Sequence, residues 1–317
     1  MSDVHAPNLR WDDPRWLARA ISAVVEGEPA AEPLLRTAYA AGGRARTVGL
    51  TGPPGSGKST LVDALARLYR KSGEQLGIVA VDPTSPFTGG AILGDRIRMQ
   101  AHHADPGIFI RSLATRGALG GLAAAAGGVV ALLDAAGKDR ILVETVGVGQ
   151  DEVDVIQLVD VTVVVLVPGM GDEVQAIKAG LMEIADIFVI NKADRGPDRL
   201  EQEIKGMLGL APNAHAADAW RPPIVKTVAT EAAGVPELAA AVAQRLEWLE
   251  SHGGLAAHRA AQWQQRLRQL ARDRLAARLL DPLLDDARVA AAAGDVVAHL
   301  ADPYSLVDAW IAAALQR

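Results

Sequence analysis

Eight consecutive residues carry the strongest chemical signal in this chain: Gly52, Pro53, Pro54, Gly55, Ser56, Gly57, Lys58 and Ser59. The pattern is G-x-x-x-x-G-K-S, with a short apolar run before it and the helix-forming stretch from Thr60 onward after it. Glycines at these places let successive backbone N–H groups converge on anionic oxygens, and the following helix turns its positive end toward the same point. Lys58 is placed to bridge the outer phosphates of a nucleoside triphosphate, and Ser59 to offer its hydroxyl to Mg²⁺.

A second cluster answers the question of which base. Asn191, Lys192 and Asp194 fall in an N-K-x-D tetrapeptide directly after an apolar run. A carboxylate such as Asp194 can accept from the ring N–H and the exocyclic amine of guanine, a donor pair that adenine lacks. Val228 and Ala229 end the next apolar run, where a backbone N–H could meet the base's carbonyl oxygen. The cofactors expected are therefore GTP or GDP with Mg²⁺.

Mg²⁺ needs hard oxygen ligands and keeps several waters, so one or two carboxylates beside Ser59 suffice. Asp82 and Glu144 each end an apolar run, and Asp95 closes a glycine-rich stretch, which makes these three the candidate ligands. Gly147, three residues past Glu144, could bring an N–H to the terminal phosphate, and with Gly149 would let that loop move. The candidate catalytic set is Lys58, Asp82, Glu144 and Gly147. No residue is clearly placed as a water-activating glutamine; Gln150 could serve or could simply cap a helix. Slow intrinsic turnover is the expectation.

The elements that must hold these residues can be read from hydropathy. Runs at 47–51, 77–81, 108–111, 140–144, 161–167, 187–191 and 224–228 are nearly all apolar, as strands covered on both faces are. Helical patterns at 59–71, 119–136, 172–184, 199–208 and 235–250 alternate with them. That alternation predicts an α/β fold: a mostly parallel, doubly wound sheet of the P-loop NTPase kind. Residues 1–44 form a predicted N-terminal helical extension, with Trp16, Leu17, Ile21, Val24 and Val25 on one face and Asp13-Pro14 as a helix start. The nucleotide domain spans 45–250, and 251–317 form a C-terminal helical extension broken at Asp281-Pro282 and Asp302-Pro303. Arginines surround the Trp263, Leu267, Ala271 and Leu275 stripe there, and they read as the solvated side of an amphipathic helix.

Bulk properties narrow the classes. A formal charge of −6 and a pI near 5.7 argue against a nucleic-acid partner. With no cysteine, disulfides, thiolate metal sites and cysteine nucleophiles are excluded. The first residues lack a basic start followed by an apolar run, and no apolar stretch reaches the roughly 20 residues that cross a bilayer. A cytoplasmic protein without membrane contact is the expectation.

Taken together, Gly52 to Ser59, VDPTSPFTGGAILGDRIRM at 81–99, RSLATRGALGGL at 111–122, ETVGVGQ at 144–150 and PGMGDEVQAIKAGLMEIADIFVINKAD at 168–194 resemble the SIMIBI-class chaperone GTPases of the MeaB and MMAA family. The likeness covers roughly 45–240 at motif level. It implies a GTPase core between helical extensions and a homodimer formed through the C-terminal part. It also implies an adenosylcobalamin-dependent acyl-CoA mutase as partner, which carries the cobalamin itself. GTP binding and hydrolysis would then be coupled to cofactor loading, to protection of the mutase and to release of damaged cofactor. Asp82, Asp95 and Glu144 fall on the family's Mg²⁺ positions, and Lys178 on a residue that contacts nucleotide or partner in one state. Asp151 departs from the serine usual there and adds a negative charge beside the switch. Other readings of the same motifs are a metallochaperone GTPase for nickel or cobalt, a P-loop kinase, and a GTP-gated scaffold without useful hydrolysis.

Overall fold

All seven apolar runs form strands. A computed structural model describes residues 9–82, 105–114, 121–145, 158–169, 184–210, 219–280, 284 and 286–315. Its strands are β1 (Arg46–Thr51), β2 (Leu76–Asp82), β3 (Ile108–Ala114), β4 (Arg140–Glu144), β5 (Val161–Leu166), β6 (Ile187–Asn191) and β7 (Ile224–Thr227). They make one sheet in the order β3-β2-β4-β1-β5-β6-β7, and every pairing is parallel. From β1 the chain goes out to β2 and the edge strand β3, returns to insert β4 between β1 and β2, then crosses to β5 on the other side. Order reverses at β1, so the crevice for a ligand opens above the C-terminal ends of β1, β4 and β5.

Helices cover both faces, as the apolar strands require. On one face α3 (Lys58–Lys71) and α6 (Val235–Ser251) bury Leu61, Leu65, Val242 and Leu246 against Val48, Leu50, Val163 and Val165. On the other, α1 (Pro14–Val25), α2 (Ala31–Ala41) and α4 (Gly121–Ala135) pack Trp16, Leu17, Ile21, Leu34 and Leu132 against Val79, Ile141 and Val143. The predicted N-terminal helices therefore share a core with the sheet. A third cluster seats Leu200 and Ile204 of α5 (Asp198–Gly209) on Phe188 and Ile190. The predicted helix at 172–184 lies almost wholly outside the described residues.

Local chemistry sets the boundaries. Asp13 caps α1 by accepting from the backbone N–H groups of Arg15 at 2.9 Å and Trp16 at 3.3 Å, and Pro14 occupies the first turn. The same bonds, Trp16's foremost, hold the Asp13 carboxyl below its ordinary pKa. The N-terminal region divides into two helices at a turn through Gly27, whose φ is +66°. At the end of α4, the Asp134 carboxylate gathers the N–H groups of Gly43, Arg44 and Ala45, which fixes the entry into β1.

A repeated device closes the sheet's lower edge. Asp139, Asp160 and Asp186 each stand one residue before a strand and clasp the start of a neighbouring one. In each case the aspartate N–H donates to a backbone oxygen while its carboxylate accepts from the N–H of the same residue. The pairs are Asp139 with Gln75 (2.8 and 2.7 Å), Asp160 with Thr47 (3.1 and 2.8 Å) and Asp186 with Thr162 (2.9 and 2.8 Å). Asp186 also meets Arg245 at 2.8 Å, and that guanidinium lies over the rings of Trp248 (4.7 Å) and Trp220 (5.2 Å). Burial pushes the Asp186 carboxyl above its usual range, against the pull of Arg245.

Residues 1–258 and 259–317 are two separate compact units. The second holds all but the first turn of α7 (Leu255–Leu275), which runs on through a π-helical turn at Ala276–Leu280, followed by α8 (Asp286–Val297) and α9 (Pro303–Leu315). At least three helices were expected in this region, and the start of α9 at Pro303 follows Asp302, whose carboxylate accepts from the Ser305 N–H at 2.9 Å. Arg266 lies over Trp263 and Arg288 over Trp310. Leu267, Leu275, Leu300, Tyr304 and Leu315 are all more than half exposed, leaving much apolar surface uncovered.

Candidate nucleotide-binding site

Gly52 leaves β1 with φ +141°, and a side chain there would run into the Val165 carbonyl of β5. The loop can lie this close to the sheet only with glycine. Gly57, at φ +91°, caps α3, and a side chain on it would strike the Asn191 amide. Between them Pro53 and Ser56 are buried, while Pro54 and Gly55 face solvent. Thr60 follows on the first turn of α3, half-buried.

Lys58 is buried, and its ammonium donates to the carbonyls of Gly52 at 2.6 Å and Pro53 at 3.0 Å. The cation is thus folded back over the loop at the helix's positive end, so the cradle concentrates positive potential where an anion would settle. Ser59 donates its hydroxyl to Glu144 Oε1 at 2.6 Å, and Glu144 is 7% exposed. A hydroxyl and a carboxylate converging beside a phosphate cradle form a hard-oxygen donor pair, which suits Mg²⁺. Asp82 ends β2 two residues past the register pair Ala80–Glu144, at the neighbouring strand end. Asp95, Gly147, Gln150, Asp151 and Lys178 lie outside the described residues.

The base-reading loop is bound to the cradle. Asn191, buried at the end of β6, donates from Nδ2 to the Ser56 carbonyl at 2.8 Å. Its Oδ1 accepts from the Thr227 hydroxyl and the Ala229 N–H, both at 3.1 Å. One side chain therefore joins the phosphate loop, β6 and the end of β7. Lys192, in the left-handed region at φ +54°, donates to the Gly55 carbonyl at 2.8 Å. Asp194 sits in the one-turn helix Ala193–Arg195 and is exposed. The predicted strand at 224–228 stops at Thr227; the Val228 N–H donates to the Ala233 carbonyl at 3.0 Å and the Ala229 N–H to Asn191, so both backbone donors expected to meet the base are engaged within the protein.

Sequence reasoning gave no role to the hydroxyls of Thr227 and Thr145. Thr227 is the third anchor of Asn191. Thr145, just past Glu144, is 1% exposed, and its hydroxyl has no hydrogen-bond partner among the described residues. The signal for Thr227 was its place at a strand end next to Val228 and Ala229; for Thr145 there was only adjacency to Glu144.

A parallel sheet with a glycine cradle after its central strand and an N-K-x-D loop two strands away defines a P-loop GTPase. The match to a solved structure agrees: the chain superposes on a LAO/AO transport system kinase with a TM-score of 0.69 at 26% identity, covering 97% of this chain and 95% of that one. The family model described as methylmalonyl Co-A mutase-associated GTPase MeaB matches residues 17–282, and the chain belongs to that family. A Pyrococcus abyssi protein named as a GTPase is 53% identical over 256 residues, 80% of this chain and 79% of the relative. The methylmalonic aciduria type A homolog of Mus musculus is 37% identical over 219 residues, 68% of this chain and 52% of the relative. GTPase ArgK of Escherichia coli is 40% identical over 199 residues, 62% of this chain and 60% of the relative.

Proposed function

We propose that this GTPase is a Mg²⁺-dependent, slowly hydrolysing chaperone of an adenosylcobalamin-dependent acyl-CoA mutase, coupling GTP turnover to loading, protection and release of the mutase's cofactor. The observation that carries the chemistry is the Ser59–Glu144 contact at 2.6 Å beside the buried Lys58 ammonium. The partner reading is supported by the family's description and by the name of the mouse relative.

In this scheme the loop amides from Gly52 to Ser59 and Lys58 hold the triphosphate and offset charge developing on the bridging oxygen. Ser59 and Glu144, with Asp82 and Asp95, would hold Mg²⁺, which would supply further charge neutralisation when bound. Asp82 and Gly147 place the attacking water. Asp194 selects guanine, while Asn191 and Lys192 keep the base loop in register with the cradle. Phosphoryl transfer asks for positioning and electrostatics, so no covalent nucleophile is needed.

Residues 251–317 serve as the homodimerisation element, for which the uncovered apolar side chains of α7 to α9 give local support. No helix among the described residues is long and apolar enough to cross a membrane, which suits a cytoplasmic site of action. The test is calorimetric titration of a methylmalonyl-CoA mutase into the protein loaded with GTP analogue or with GDP. Nucleotide can bias a partner only through unequal affinities, so the two titrations are expected to differ. Equal affinities, or no binding in either state, would refute the chaperone reading and leave the GTPase intact.

A further inference from the structure

Thr145 occupies a place where a hydroxyl is a cost. Its N–H donates to the Leu50 carbonyl at 3.0 Å, extending the β1–β4 ladder one step beyond the Leu50–Glu144 pair. The residue is 1% exposed, yet its Oγ1 has no hydrogen-bond partner among the described residues. Valine has nearly the same shape and would fill such a site without the desolvation penalty. Buried polar atoms are nearly always satisfied; the Ser56 hydroxyl of the phosphate loop shares this exception, and two such hydroxyls beside one site point to groups that are satisfied in another state of the molecule.

Location says which state. Thr145 directly follows Glu144, whose carboxylate meets Ser59, and it lies across the ladder from Thr51, the last residue before the phosphate loop. Along β4, Leu142 faces α3 while Ile141 and Val143 face α1, α2 and α4. Alternation then puts Glu144 on the α3 side and Thr145 on the opposite side, under the point where the chain leaves the sheet. A shift of this strand end by a fraction of an ångström, on binding of a terminal phosphate, would move both residues together.

Resting on the GTPase reading, we propose that Thr145 is a positioning residue for hydrolysis, whose hydroxyl gains its hydrogen bond only in the triphosphate-bound form and so favours that form over the diphosphate-bound one. The energy of one buried hydroxyl then appears as a preference between nucleotides.

The experiment compares full-length wild type with Thr145→Val and Thr145→Ser. It measures affinity for GDP and for a non-hydrolysable GTP analogue, single-turnover GTP hydrolysis, and Tm without nucleotide. The Val variant is expected to keep or raise Tm and to hold GDP affinity within about two-fold. Its analogue affinity should fall by roughly 5- to 150-fold, with slower hydrolysis, and the Ser variant should restore both. An unchanged analogue-to-GDP ratio and turnover in the Val variant would overturn the proposal. So would equal weakening of both nucleotides together with a lower Tm, since that marks a purely structural hydroxyl. Wild type that binds neither guanine nucleotide would instead bring down the GTPase reading beneath it.

Discussion

Asn191 Nδ2 reaches across 135 residues of chain to the Ser56 carbonyl at 2.8 Å, so the loop that would read the base and the loop that would hold the phosphates share one buried side chain. Recognition at one end is thereby tied to geometry at the other. Asn191→Ala leaves the Ser56 carbonyl, the Thr227 hydroxyl and the Ala229 N–H without this partner. The expected result is destabilisation of about 2–4 kcal/mol in chemical unfolding, with guanine nucleotide affinity down by about 100-fold or more. An affinity loss without any loss of stability would mean that the anchoring is dispensable.

Gly57 gives a cleaner separation of folding from binding. Alanine there must adopt φ +91° and press on the Asn191 amide, at a loop that lies outside the hydrophobic clusters. Gly57→Ala should retain a cooperative unfolding transition, losing no more than about 1–3 kcal/mol, while nucleotide binding by fluorescence titration disappears. Normal binding would show that the cradle tolerates a side chain.

Removing the Lys58 ammonium tests the electrostatics directly. Lys58→Ala should lower the rate of GTP hydrolysis by roughly 100- to 1,000-fold in saturating Mg²⁺, measured in single turnover. Hydrolysis at the wild-type rate would refute the phosphate scheme. Glu144→Gln addresses the metal: the Mg²⁺ concentration for half-maximal hydrolysis should rise by about ten-fold or more, because a neutral amide holds the cation less well.

Acid sensitivity should arise in part far from the crevice. Hydrogen bonds from Lys205 and Lys226 hold the Glu201 carboxyl down to about 2, from an ordinary value of 4.5. A depressed folded-state pKa contributes stability that is complete above the unfolded value and is lost as pH falls from about 4.5 toward 2. Glu201→Gln should flatten that part of the Tm-against-pH curve, and 1 M salt should shrink the difference because its partners Lys205 and Lys226 are solvent-exposed. Parallel curves for the two proteins would show that the pairing with Lys226 does not act in solution.

How far the sequence foretold this arrangement depended on the range of the signal. Strands announced themselves because each is a continuous apolar run between polar turns, and helices α3, α5 and α6 lie within about two residues of their predicted spans. The cradle and the base loop were legible because their chemistry is local: eight and four adjacent residues. Their joining was not, because Asn191, Ser56 and Thr227 become neighbours only once the strand order is set. The stack of Arg245 on Trp220 and Trp248 was missed for the same reason, since Trp220 lies 25 residues upstream of the arginine. The break at Gly27 was missed because the apolar stripe of α1 resumes in α2 without a change of composition.

The three aspartate clasps carry an implication for how this sheet tolerates change. A strand slipped by one residue would leave a carboxylate facing the wrong amide at β4, β5 or β6, whereas β3 and β7 join their neighbours' lower ends through the Gly107 and Pro223 carbonyls with no such carboxylate clasp among the described residues. Length variation should therefore be absorbed at the rims. In an insertion scan scored by soluble yield, single residues added just before Ile108 or Ile224 should survive where those before Arg140, Val161 and Ile187 do not.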